Sequence, residues 1–294
     1  MTYFKKFLKL FLIGSKPINF AYPLPIASFV AFSISNSNIF EFLVSYIFCA
    51  FFFTAANLWN HINDAEEDAK TGRGDAAFLL KEKELAIFLA IFFYILSALT
   101  LAFTKDSLAI FTYLPCLVLT WIYSDRILLG TLFRRLKENY RTELLTYLIV
   151  TFTFPMTLWC FFDHLSAKGF GFSLILGTFY LSGVILKDIK DYSADFESGY
   201  RTLSVVFDPE TLLKASSALL YLAFALIAIL AILKVIPFPS ILTLSMLLPV
   251  SYAVLRMRFF SWDISLKTLK EIKIYTLTYP ISLTLLGIFS LVKF

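Results

Sequence analysis

Residues 39–70 read IFEFLVSYIFCAFFFTAANLWNHINDAEEDAK. From Ile39 to Ile62 the only charge is Glu41, and the run has the roughly 20 residues a helix needs to cross a bilayer core. It then passes, without glycine or proline, into a stretch dense in carboxylates and amides. Apolar runs of this length recur along the whole chain. Of its 294 residues 59% are hydrophobic and 16% charged, against typical soluble shares of about 45–50% and about 25%. The 34 Phe, 15 Tyr and 4 Trp outnumber the ionised side chains. Such a composition excludes disordered, collagenous and disulfide-stapled chains and predicts an all-α, polytopic membrane protein.

Nine apolar stretches are long enough to span: 17–35, 39–62, 84–104, 107–124, 143–162, 170–188, 211–233, 238–255 and 273–292. Nine helices around a central cavity, forming one domain over residues 1–294, is the expected architecture. With the N-terminus on the cytoplasmic side, the loops at 63–83, 125–142, 189–210 and 256–272 share that side. All of the 26 Lys and Arg except Lys105, Lys168, Lys234 and Lys293 then fall there. The positive-inside rule therefore predicts a multi-pass cell-membrane protein with those loops cytoplasmic. The opening segment, 1–16, places Phe4, Phe7, Leu8, Phe11 and Leu12 on one helical face opposite Lys5, Lys6 and Lys9. It has no small-residue cleavage site, which predicts an interfacial amphipathic helix and not a signal peptide. Cys49, Cys116 and Cys160 all lie inside apolar spans without metal-ligand spacing and read as packing residues.

Acidic residues collect on the same side: only Glu41, Asp106 and Asp163 of the 21 lie elsewhere. The positive-inside rule is nearly indifferent to acids, so it does not account for this. Two stretches hold most of them. In the first, Asn60, Asp64 and Asp68 recur at i, i+4, i+8, and in the second Asp188, Asp191 and Asp195 recur at i, i+3, i+7. Each set forms a stripe on one helical face, where carboxylates repel unless cations separate them. A solvated helix end is the simple reading of either stripe alone. The same four-residue spacing at Asp64/Asp68 and Asp191/Asp195, each at the exit of an even-numbered span, favours two facing stripes. Together they would offer oxygen ligands suited to Mg²⁺, which completes its shell with waters and substrate phosphates.

At these residues the chain resembles the UbiA-type intramembrane prenyltransferases. Asn60, Asp64 and Asp68 match the family's Asn-x3-Asp-x3-Asp motif, and Asp191 and Asp195 its Asp-x3-Asp motif. Gly199-Tyr200-Arg201-Thr202-Leu203 looks like the Gly-x-Lys/Arg-Thr ending of the second region. The segment from Leu136 to Thr142 looks like the basic segment placed against the diphosphate. One departure is His61, where many members have Asp; either the metal site uses fewer acids, or Asp188 compensates.

The resemblance implies transfer of a polyprenyl group from an isoprenyl diphosphate, geranylgeranyl or longer, with release of diphosphate. The acceptor would be aromatic (naphthoate- or hydroxybenzoate-like) or a glycerol lipid, as in menaquinone-type or ether-lipid synthesis. Asp64, Asp68, Asp191 and Asp195 would be catalytic. Two Mg²⁺ would be held by these with Asn60 and Asp188, and the diphosphate by Asn60, Arg73, Lys137, Arg141 and Arg201. The +5 surplus is then topology plus a phosphate clamp, with no nucleic-acid partner.

Two alternatives compete. A secondary transporter would carry its acids near the bilayer midplane on broken helices, whereas these gather at one face. A CDP-alcohol phosphotransferase would concentrate them in one Asp-Gly-rich motif, whereas here there are two. Asp64→Ala or Asp191→Ala is expected to abolish Mg²⁺-dependent prenyl transfer while leaving a folded, extractable protein. Full activity of either variant in a radiolabelled-prenyl assay would exclude the metal-cage reading.

Overall fold

A computed structural model describes residues 2–15, 24–70, 72, 74–130, 134–189, 192–262 and 269–292. The described residues are mostly helical, with no strand among them. In order the helices are α1 (Tyr3–Gly14), α2 (Ile26–Ser35), α3 (Ile39–Lys70), α4 (Ala76–Lys81), α5 (Lys83–Thr100), α6 (Leu108–Ser124) and α7 (Tyr140–Trp159). They continue as α8 (Ala167–Asp188), α9 (Tyr192–Glu197), α10 (Leu203–Val206), α11 (Pro209–Ile232), α12 (Leu247–Phe259) and α13 (Leu269–Ser290). Among the described residues, six helical stretches are long and apolar enough to cross a membrane: Ile39–Lys70, Lys83–Phe103, Ala167–Asp188, Pro209–Ile232, Phe238–Phe259 and Lys270–Ser290. Helices α2 and α6 are apolar but shorter.

Helix α7 is more polar, with five threonines among its residues. Thr146, Thr151, Thr153 and Thr157 hide this polarity by donating to the carbonyls of Thr142, Tyr147, Ile149 and Thr153 at 2.7–3.0 Å. Nine residues before α12, Phe238–Met246, wind as a 3₁₀ helix. Pro237 and Pro239 remove backbone donors from its start.

The bundle packs around aromatic rings. Phe48 stacks on Phe154 with centroids 5.9 Å apart, and Phe52 on Phe154 at 5.5 Å. One cluster of polar groups inside the bundle is satisfied by its own members, where water cannot reach. Ser182 donates to the Ser216 carbonyl at 2.6 Å, Ser216 returns a bond to the Ser182 carbonyl at 3.0 Å, and the Tyr279 hydroxyl lies 2.6 Å from Ser182 Oγ. These contacts clasp α8, α11 and α13. At the end away from the acids, Lys105 pairs with Glu41 at 2.6 Å and Asp106 accepts from the Leu165 amide at 2.8 Å.

Helix α1 packs through Gly14 against Thr54 and Leu58 of α3, and Lys6 pairs with Glu82 at 2.7 Å. Its outer face leaves Tyr3, Phe4 and Leu12 mostly exposed, in keeping with a helix lying along an apolar boundary. The three cysteines are free and buried, as their sequence context suggests.

Helix α3 runs beyond the span expected at 39–62. Its 32 residues extend about 48 Å at 1.5 Å per residue, well past a core of about 30 Å. The acid stripe is therefore the projecting end of a membrane helix and not a loop. It stops where Gly72, at φ +72°, donates its N–H to the Ala69 carbonyl at 3.2 Å.

Close helix packing depends on particular glycines. A Cβ at Gly177 would lie 2.5 Å from the Phe152 ring and 2.8 Å from the Thr151 carbonyl, whereas one at Gly183 would meet nothing nearer than 3.8 Å. Gly177→Ala is expected to cost about 1–3 kcal/mol by pushing α8 off α7. Gly183→Ala is expected to be neutral or stabilising by helix propensity. Thermal unfolding in detergent distinguishes the two.

Candidate active site

The acids of the first motif lie on the projecting turns of α3, where the i, i+4 spacing keeps Asn60, Asp64 and Asp68 on one side. Asn60 accepts a short hydrogen bond from the Ser124 hydroxyl at the end of α6. Asn63, unnoticed in the sequence, accepts from the Arg126 amide at 2.7 Å and donates to the Trp59 carbonyl at 2.8 Å. Asp125 caps the following turn, taking the amides of Ile127, Leu128 and Leu129 at 2.9–3.0 Å. The end of α6 and the loop after it are thus fastened to the motif helix through the Asn60 and Asn63 side-chain amides.

Charge then concentrates on Asp64. Lys137 Nζ lies 2.5 and 2.6 Å from its two oxygens, and Arg135 Nη1 donates to Oδ1 at 2.8 Å. Burial alone would raise the Asp64 pKa, but Lys137 and then Arg135 outweigh it and hold the carboxyl below its ordinary value. Asp68, one turn on, is half-buried.

Arg135 is almost fully enclosed, with 1% of its side chain exposed. It donates from Nε to Glu138 at 2.7 Å, from Nη1 to Asp64, and from Nη2 to the Tyr200 hydroxyl at 2.5 Å. Glu67 stands 3.4 Å from the same Nη2 and takes Arg126 Nη2 at 2.5 Å and a short bond from the Tyr200 hydroxyl. Burial would raise Glu67, but the Tyr200 hydroxyl, Arg135 and Arg126 bring it below the usual range. Burial would lower Arg135, but Glu138 and Asp64 more than offset that and raise it.

The second motif lies against this cluster. Asp195 accepts from Thr202 Oγ1 at 2.9 Å. Arg201 joins the 135–142 segment through its backbone: its N–H donates to the Glu138 carbonyl at 3.0 Å, and its carbonyl accepts from the Tyr140 amide at 2.6 Å. Asp188, at the end of α8, is buried and accepts from the Tyr147 hydroxyl at 3.1 Å. That hydroxyl is 2.7 Å from the Tyr123 hydroxyl, and Tyr123 also donates to Glu143 at 3.2 Å. Glu143 in turn takes the Leu203 amide at 2.7 Å.

Of the residues expected from sequence, Asn60, Asp64, Lys137, Asp188 and Asp195 thus enter one hydrogen-bonded region. Arg141 is exposed and donates from Nε to the Tyr140 hydroxyl at 3.0 Å, and Arg201 is exposed, its hydrogen bonds to the 135–142 segment being made by its backbone. Asp191 and Arg73 lie outside the described residues. Among the described residues no three His, Cys, Asp or Glu side chains converge as a metal cluster; Asp64 meets cations, and Asp188 and Asp195 meet hydroxyls. The oxygen-only donor set of Asn60, Asp64, Asp68, Asp188 and Asp195 nonetheless fits a hard divalent cation such as Mg²⁺.

Arg126, Arg135, Glu67, Tyr200 and Glu143 were not singled out by spacing. The two arginines read as topology charges, and Glu143 had one signal: an acid opening an apolar span. One turn below Ser124, Trp121 helps line an apolar groove of about 410 Å³ between α5 and α6, with Tyr94, Leu117 and Leu129.

Fold and site together define a multi-pass α-helical membrane protein with a paired acid–base centre at one end of its bundle. The UbiA prenyltransferase family model matches residues 22–271, and the chain belongs to that family. It is 45% identical over 270 residues to an uncharacterized protein of Archaeoglobus fulgidus, covering 91% of this chain and 93% of that one. Its fold is similar to a digeranylgeranylglyceryl phosphate synthase structure, with TM-score 0.70, 17% identity, and 98% and 99% of the two chains covered. It is also similar to a UbiA homologue from Archaeoglobus fulgidus bound to GPP and Mg²⁺, with TM-score 0.63, 15% identity, and 97% and 99% covered.

Because Asp64 and Glu67 are held low, they stabilise the folded chain above about pH 4, near their unfolded values, and that contribution is lost as pH falls further. Arg135→Met takes one of two cations from Asp64 and from Glu67, leaving Lys137 and Arg126 in place, and takes the Nε donor from Glu138; it is expected to cost about 3 kcal/mol at pH 7. It should also flatten the loss of thermal stability between pH 5 and pH 3. An unchanged acid limb, followed by differential scanning fluorimetry, would contradict this assignment.

Proposed function

We propose that this protein transfers a prenyl group from an isoprenyl diphosphate to an acceptor within the membrane, at the end of the bundle where the two acid motifs meet. The observation that supports it most is the joining of both motifs, 127 residues apart at Asp64 and Asp191, through one basic segment, 135–142. Family membership and the ligands of the Archaeoglobus fulgidus homologue, GPP and Mg²⁺, support the same reading. Nine crossings of the cell membrane in a single domain, with the acid end cytoplasmic, is the arrangement that agrees with the one-sided lysines and arginines.

Asn60, Asp64 and Asp68 would hold one Mg²⁺, and Asp191 and Asp195, with Asp188, a second. Bound there, magnesium would neutralise charge on the departing diphosphate. Lys137 already lies at hydrogen-bonding distance from Asp64 and would add a cation for the phosphate oxygens, where charge-assisted bonds are strong. Arg73, Arg141 and Arg201 are further candidates for that clamp. The α5–α6 groove, one turn from the Ser124 contact to Asn60, has the size and apolar lining to lodge an isoprenoid chain. Burying each CH₂ there would contribute about 0.8 kcal/mol. The acceptor would be an aromatic such as a naphthoate or hydroxybenzoate, or a glycerol lipid; similarity to the digeranylgeranylglyceryl phosphate synthase fold leaves ether-lipid and menaquinone-type synthesis as the pair to test.

Incubating the purified protein with labelled geranylgeranyl diphosphate and a panel of these acceptors is expected to give a prenylated lipid and free diphosphate. Product should vanish with EDTA and return with Mg²⁺. Lys137→Ala should raise KM for the diphosphate about tenfold, the loss of roughly one charge-assisted hydrogen bond. Metal-independent turnover, or no product with any acceptor, would overturn the proposal.

A further inference from the structure

Beyond the two acid motifs, one side chain bridges the halves of the site. Helix α9 ends at Glu197, and the chain reverses at Gly199, whose φ of +73° favours glycine. The Tyr200 amide donates to the Asp195 carbonyl at 3.0 Å and Thr202 Oγ1 to the Asp195 carboxylate at 2.9 Å, so Tyr200 and Asp195 belong to one hydrogen-bonded turn. From that turn the Tyr200 side chain reaches across to the first motif. Its hydroxyl donates to Glu67 and accepts from Arg126 Nη2 at 2.6 Å and Arg135 Nη2 at 2.5 Å, using the one proton and both lone pairs a phenol has. The Arg135 guanidinium also lies over the ring, 5.2 Å from its centroid. Glu67 is three residues from Asp64 on the same face of α3, and Arg135 touches both. The path from Asp195 to Asp64 is therefore a short series of direct contacts through Tyr200.

We propose that Tyr200 is a positioning residue that holds the two acid motifs in register, so that Asp64 and Asp195 present their oxygens to metal and diphosphate as one site. This rests on the prenyl-transfer reading above. Tyr200 touches neither substrate nor metal in this scheme; it acts through Glu67 and the two arginines. Partners at this remove from metal ligands commonly shift metal affinity by an order of magnitude or more.

The test uses the full chain in nanodiscs, with Mn²⁺ titrated in the presence of inorganic diphosphate and bound metal read by electron paramagnetic resonance. Tyr200→Phe is expected to weaken Mn²⁺ binding about tenfold while the melting temperature moves little. Glu67→Gln, which replaces the carboxylate by a weaker, neutral acceptor and keeps the phenol, should do the same, and the double variant should be no weaker than either single one. Tyr221→Phe deletes a hydroxyl that pairs with Ser251 and touches neither acid motif nor the 135–142 segment, and should bind Mn²⁺ like the natural protein. Should Tyr200→Phe express poorly, Glu67→Gln carries the same expectation. Natural Mn²⁺ affinity in both variants, or additive losses in the double variant, would overturn the inference. If Asp64→Asn abolishes binding while Tyr200→Phe and Glu67→Gln keep the natural affinity, only this inference falls. If Asp64→Asn leaves binding unchanged, the metal reading of the site falls with it.

Discussion

A guanidinium that is almost fully enclosed is stable only when its N–H groups meet acceptors and its charge is matched. Arg135 meets that condition by drawing on Glu138 from its own segment, Asp64 and Glu67 from α3, and Tyr200 from beyond α9. These groups come from widely separated parts of the chain, so the enclosure of one charge fixes how three segments approach one another. Lys137 and Arg126 extend the same arrangement to either side. This convergence acts where α3 projects beyond its membrane-length part, beside buried apolar residues such as Ala65, Leu79 and Leu203.

Within the bundle the constraint is different. Water is excluded, so hydroxyls must find partners inside the protein. The threonines of α7 turn back onto their own helix, while Ser182, Ser216 and Tyr279 bond across three helices. Tyr147 belongs to both regimes: it leaves the top of α7 to bond Asp188 and to meet Tyr123 and Glu143. Glu143 carries the connection on to the Leu203 amide. The second motif is thereby attached to α7 and α8 from below and to α3 from the side. Such an arrangement suits chemistry that breaks a bond to diphosphate, where geometry and charge placement matter more than a single reactive side chain.

The helical class and the acid stripes were legible because they are periodic and local. Length of apolar run, i, i+4 spacing and the one-sidedness of Lys and Arg need no knowledge of what lies across the bundle. Asp64, Asp188 and Asp195 were singled out in this way, and Lys137 by the likeness of its segment to a family pattern. The length of α3 was not read this way: the span was expected to end at residue 62, although no glycine or proline interrupts residues 39–70.

What tertiary structure decided was pairing. Arg126 and Arg135 look like topology charges in a short loop, and Tyr200 occupies the unspecified position of its motif-like run. Nothing local tells that one phenol will meet a glutamate 133 residues away and two arginines between them. Nor does spacing reveal that Arg141 and Arg201 are exposed while Arg135 is enclosed. Sequence determined which residues sit at the membrane's edge and on which helical face, because backbone geometry repeats every turn. Only the folded bundle determined which charges face each other, because that depends on long-range approach of segments whose contacts carry no periodic signature.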